Sequence, residues 1–189
     1  ARFLYSLKKK TDYAVITLAG GQKDNAITRE CEAELLVSPE DKEVVKTLAA
    51  ELQGQLREEY TGSDENISIE IAELGETSVQ VLHPTSQEKV LFYLMNVPFG
   101  IQKMSGTISG LVETSSNIGI LKLEEEELFA SSSVRSSVDA ACTALSEKLE
   151  YLTEFLGGEY EVLGAYPAWE YRKESPLRDK MVAVYEEMY

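Results

Sequence analysis

Histidine is almost missing from this sequence: its 189 residues contain one, His83, followed directly by Pro84. A catalytic zinc site needs roughly three imidazole, thiolate or carboxylate ligands around one point. A serine or cysteine triad needs a histidine beside its nucleophile. No local pattern supplies either, and His83, in an expected loop, reads as a solvated or capping group. Cysteine is scarce too. Cys31 and Cys142 lie far apart, in elements expected to be buried, which suits free thiols in a reducing compartment better than a disulfide framework. Positive charge is short: 18 Lys plus Arg against 33 Asp plus Glu leave a net −15. That balance repels phosphate backbones and anionic membrane surfaces, and argues against nucleic acid as a partner. No apolar run approaches the roughly 18 residues of a spanning helix, and no signal peptide is visible.

What is present is a chain with 43% hydrophobic residues, enough for one core or two small lobes that share one. Phe3, Leu4 and Leu7 stand at helical spacing from the first residues onward, as in a piece cut from something longer. Tyr13 to Ala19 is a β-branched run bounded by Gly20-Gly21, and Ile27 to Val37 alternates apolar and polar residues, so the two predict a hairpin. Ser38-Pro39-Glu40-Asp41 starts a helix striped by Val45, Leu48, Leu52 and Leu56. Ile67, Ile69 and Ile71 then predict a strand. A helix follows from Thr85 or Ser86, with Glu88 closing a capping box on Thr85, and stops near Asn96 ahead of Pro98. Residues 100 to 110 read as loop.

The second half repeats this order. Asn117 to Leu123 and Leu128 to Arg135 are strand-like, joined by Glu124 to Glu127 as a solvated turn. Val138 to Leu156 carries a long apolar stripe ended at Gly157-Gly158, and Tyr160 to Leu163 predicts a final strand. Ser175-Pro176 opens a last helix striped by Leu177, Met181, Val184, Tyr185 and Met188. The fold class is α+β: an antiparallel sheet with helices packed on one face, in two hairpin-helix-strand units. The divisions are 1–74 for the first unit, 75–110 for a connecting segment with one helix, 111–168 for the second unit, and 169–189 for a closing segment that carries the last helix.

Few residues carry chemistry. Gly20-Gly21 before Asp24-Asn25 is not a phosphate loop, because no Gly-Lys-Ser/Thr follows. Asn25 reads either as a turn residue tolerating positive φ or as an amide able to donate to a developing oxyanion. Arg135, where strand hands over to helix, is either an exposed strand-end cation or a planar fork for a carboxylate.

Read together, Gly20-Gly21-Gln22-Lys23-Asp24-Asn25-Ala26-Ile27-Thr28-Arg29-Glu30, the stretch Gly110 to Gly119, the Val134-Arg135-Ser136 step and Gly164-Ala165-Tyr166-Pro167 with Trp169 resemble the inserted domain of Xaa-His dipeptidases. These are cytosolic di-zinc metallopeptidases. The resemblance covers most of the chain and is loose over residues 57 to 105. It implies a lid that closes over a dipeptide substrate, packs on its own catalytic domain and takes part in a homodimer. It assigns Asn25 to the scissile carbonyl or its oxyanion, and Arg135 to the substrate's C-terminal carboxylate. It places the two zinc ions in a catalytic domain outside this chain, with residues 169–189 as a stub of that domain. On this reading the chain alone is inactive, and the parent is a cytoplasmic hydrolase. The family usually has proline where this chain has Thr28, a difference in how the chain enters the second strand. The competing readings are a non-catalytic oligomerisation or interaction module, with Asn25 and Arg135 far apart, and a stand-alone acidic binding domain.

Overall fold

The computed structural model describes residues 1–124, 127–172 and 174–189. It opens with helix α1 (Arg2–Lys8), followed by strands β1 (Tyr13–Gly20) and β2 (Cys31–Val37). A single 3-10 turn at Pro39–Asp41 leads into α2 (Lys42–Glu59), and α3 (Pro84–Asn96) and β3 (Gly100–Met104) complete the first half. The second half holds β4 (Val112–Leu123), β5 (Leu128–Ser136), α4 (Asp139–Phe155) and α5 (Pro176–Met188). The fold is α+β, and the strands pair antiparallel throughout.

β4 organises the sheet. One edge pairs with β5 from Thr114 to Leu123. The other edge is shared end to end: β3 takes the first part, up to Ser116, and β1 takes Leu121 and Lys122. Between those two partners, residues 117 to 120 of β4 have no ladder neighbour on that side. β2 continues the sheet beyond β1.

Two bulges decide which side chains face the helices. The β1–β2 register shifts between Val15 and Thr17, so one extra residue lets both Val15 and Leu18 enter the core, three positions apart. They are buried with Val90 of α3, and Leu35, Leu82, Leu94, Leu121, Leu123 and Leu128 pack around them. The β4–β5 register shifts between Ile118 and Ile120. Before it Thr114 and Ser116 are buried, and after it the partly buried Leu121 and Leu123 pack against the core. Helix α1 packs on α2 and α3, α3 on β1, and α4 on β5.

Several expected elements come out differently. Ile67 to Ala72 joins no ladder, because α2 takes its backbone bonds: Gln53 Oε1 accepts from the Ile69 amide at 2.7 Å, and Arg57 Nε donates to the Ile67 carbonyl at 2.7 Å. The edge of β1 is held by α3 instead. Gln87 accepts from the Val15 amide at 2.9 Å and donates to the Tyr13 carbonyl at 3.1 Å, and the Leu82 amide donates to the Val15 carbonyl at 2.8 Å. Tyr160 to Leu163 also lies outside the sheet, with Leu163 80% exposed. Residues 100–104, expected as loop, form β3. The second strand begins at Cys31 rather than Ile27, and Cys31 is exposed rather than buried; both thiols are free. The capping box at Thr85 gives way to His83, whose Nδ1 accepts from the Thr85 amide at 3.3 Å. Ser38 makes no side-chain cap, whereas Ser175 accepts from the Arg178 amide as expected. At the β4–β5 turn the Glu124 amide donates to the Glu127 carbonyl at 2.8 Å; residues 125 and 126 of that expected turn lie outside the described residues.

Candidate functional site

The unpaired middle of β4 is covered by the loop that joins β1 to β2. Gly21 turns the chain at φ +74°, and a Cβ there would stand 2.0 Å from the Gly119 carbonyl oxygen. A Cβ on Gly119 would in turn lie 2.2 Å from the Lys23 carbonyl oxygen and 2.3 Å from that of Asp24. Real Cβ atoms do not approach backbone so closely, so both positions require glycine. The loop therefore lies directly on the bulge of β4, with its backbone where a side chain would otherwise stand.

Asn25 sits on this loop and is exposed. Its amide donates to Asp24 Oδ1 at 2.8 Å, and the Ala26 amide donates to the Lys23 carbonyl at 3.2 Å. Asn25 itself is not left-handed: among the described residues positive φ occurs only at glycine, so tolerance of positive φ is not what Asn25 contributes. Among the described residues its side-chain amide has no hydrogen-bond partner.

Arg135 lies near the end of β5, opposite Ser115 of β4. Cross-strand partners share a face, and so do residues two apart on one strand. Ser115, Asn117, Ser133 and Arg135 thus project to one side, while Thr114 and Ser116, at 3% and 1% exposure, point into the core. The strand end is pinned from that buried side. The Ser136 hydroxyl lies 2.9 Å from Thr114 Oγ1 and accepts from the Val138 amide at 3.1 Å, and the Ser137 amide donates to the Glu113 carbonyl at 3.0 Å. Arg135 Nε reaches only Ser133 Oγ, at 3.4 Å. Among the described residues no carboxylate pairs with the guanidinium, although the chain carries 33 Asp and Glu.

The two candidate residues are linked through β4. Asn117 Nδ2 donates to the Ala26 carbonyl at 2.7 Å, next in sequence to Asn25. Asn117 is one same-face step, about 7 Å, from the Ser115–Arg135 rung. The side chain that holds the Asn25 loop and that of Arg135 therefore project to the same face of the β4–β5 pair. Thr28, the departure from proline, also finds a place here: its Oγ1 donates to the Ile118 carbonyl at 2.6 Å. Sequence reasoning missed Asn117, Thr28 and Gly119. Their signal lay inside the motifs, but nothing local says that one motif lies on the other.

Residues 1–64 match the peptidase dimerisation domain family. A structure-level match, with a TM-score of 0.90 and 28% identity, relates all of the chain to 38% of an aminoacylhistidine dipeptidase from Vibrio alginolyticus. The first third of the chain thus resembles a peptidase dimerisation domain, and the whole chain resembles part of a dipeptidase. It is also 26% identical over 188 residues to the cytosol non-specific dipeptidase of Escherichia coli strain K12, covering 100% of this chain and 39% of that protein. The chain thus spans about two fifths of the length of these relatives. Among the described residues no group of three or more His, Cys, Asp or Glu side chains could hold a metal ion. The described residues do not by themselves fit a zinc site. No described helix is long and apolar enough to cross a membrane.

Proposed function

We propose that this lid covers the substrate of a cytosolic zinc-dependent dipeptidase that hydrolyses Xaa-His dipeptides, the two zinc ions belonging to a catalytic domain outside this chain. Asn25 is the donor to the scissile carbonyl or its oxyanion, where a preorganised amide favours the developing charge. Arg135 takes the substrate's C-terminal carboxylate, a task suited to a planar guanidinium whose Nε reaches only Ser133 Oγ and which pairs with no carboxylate among the described residues. Residues 1–74 and 111–168 form the two units of the lid around the connecting segment 75–110, and residues 169–189 lead into the catalytic domain. The observation that carries this reading is the Asn117 link, which sets the Asn25 loop one step from the Arg135 rung on a single face. The relatives of known activity are consistent with it.

The test is Arg135→Ala in the full-length protein, assayed on an Xaa-His dipeptide. A hydrogen-bonded charged partner is worth about 1.5–3 kcal/mol, so kcat/KM should fall about ten- to a hundredfold. Unchanged kcat/KM with altered self-association would favour the second reading, a non-catalytic oligomerisation module, which the dimerisation-domain match supports. A homodimer is compatible with either.

A further inference from the structure

We infer that Asn117 and Thr28 form a reciprocal clamp that positions Asn25, each lending a side chain to the other segment's backbone. This rests on the proposed role of Asn25. From β4, Asn117 Nδ2 donates to the Ala26 carbonyl at 2.7 Å; from the loop, Thr28 Oγ1 donates to the Ile118 carbonyl at 2.6 Å. Both clamp residues are half-buried, and the two bonds run in opposite directions across the same gap. They occupy the part of β4 that has no strand partner on that edge, so they take the place of a ladder.

The loop has little else to hold it there. Ile27, between the two clamped residues, is 77% exposed and contributes almost no burial. The loop's other bonds are local: Gly21 amide to Glu30 carbonyl at 3.2 Å, Ala26 amide to Lys23 carbonyl at 3.2 Å, Gln22 Nε2 to Glu30 Oε1 at 2.6 Å and Asn25 amide to Asp24 Oδ1 at 2.8 Å. These shape the loop without fixing it to the sheet. Close contact with Gly119 limits approach but supplies no directional bond. An oxyanion donor must be held to about 0.5 Å, and a misplacement of about 1 Å costs about a hundredfold in rate. Asn117 and Thr28 are positioning residues: they touch the loop and the strand, not the substrate.

The test uses the full-length protein with an alanyl-histidine dipeptide. Thr28→Val replaces the hydroxyl with a methyl group and Asn117→Ala removes the carboxamide; each should lower kcat about ten- to a hundredfold with a smaller change in KM. Thr28→Ser, which keeps the hydroxyl, should recover most of the loss. Amide exchange should quicken over residues 22–29 and stay slow in β4, which separates a freed loop from a misfolded protein. In an Asn25→Ala background neither substitution should lower the rate further, because the group being positioned is gone. Fully additive losses would overturn the clamp, as would wild-type kinetics and exchange in Thr28→Val and Asn117→Ala. If those two retain wild-type rates while Asn25→Ala is impaired, the clamp fails and the proposed role of Asn25 stands. If Asn25→Ala itself is unimpaired, that role fails and the clamp has nothing to position.

Discussion

The contact between the β1–β2 loop and β4 makes a prediction whose sign depends on the structure alone. Gly119 and Gly54 are both glycines in regular elements, and replacing each by alanine adds the same methyl group. At Gly119 that methyl would fall 2.2 and 2.3 Å from two backbone carbonyl oxygens, neither of which is the end of a flexible side chain. Relieving the overlap means lifting the loop or straining β4, at the roughly 1–3 kcal/mol typical of overpacking. At Gly54, in α2, a Cβ would meet nothing within 4 Å, so alanine should stabilise by about 0.5–1 kcal/mol through the backbone entropy that glycine loses on folding. In a domain of this size 1 kcal/mol moves the melting temperature by roughly 2–4 °C. Gly119→Ala should therefore lower it by about 2–12 °C, and Gly54→Ala should raise it by about 1–4 °C. Thermal unfolding followed by circular dichroism measures both. A Gly119→Ala variant as stable as the parent, with slow exchange retained over residues 22–29, would show that the loop does not lie on β4. The described site would then fall with it.

Gln87→Leu should destabilise by about 1–3 kcal/mol per backbone group left without its partner, because the Val15 amide and Tyr13 carbonyl both bond to that side chain; urea unfolding at unchanged slope reads the loss. Glu73 is held at about 2 by hydrogen bonds from Lys46 and Lys42, below its ordinary 4.5. Its contribution is therefore present above pH 4.5 and lost as pH falls toward 2. An NMR titration of the Glu73 carboxyl should show the low midpoint, and Lys42→Met with Lys46→Met should return it toward 4.5.

Much of the helical architecture could be read from local signals. Ser175-Pro176 starts α5, Gly157 follows α4, and Pro98 follows α3, because caps and breakers act within one turn of the residues that carry them. Strands were harder, since alternation reports one buried face and not which backbone will pair with it. Ile67, Ile69 and Ile71 alternate like a strand, yet Gln53 and Arg57 of α2 reach their backbone first. Residues 100–104 have loop-like flanks, yet they become β3 because β4 offers an edge. The site was legible in its parts only. Asn25 and Arg135 stand out in their motifs, whereas the contacts of Asn117 with Ala26 and of Thr28 with Ile118 join residues about ninety positions apart and leave no periodic trace.

Gly119 shows why the site cannot be separated from the core. The first half of β4 sends even-numbered residues, Thr114 and Ser116, toward the helices, and the second half sends odd-numbered ones, Leu121 and Leu123. A strand of strict alternation would expose one set or the other. The register shift between Ile118 and Ile120 lets the first set be buried and the second pack, partly buried, against the core, and the residue that absorbs it has no side chain. The same position offers the bare backbone on which Lys23 and Asp24 rest, with Asn25 next in the chain. Filling that space would disturb β4 at its bulge and raise the Asn25 loop in one step. Packing and site geometry at this point should therefore change together under substitution rather than one at a time.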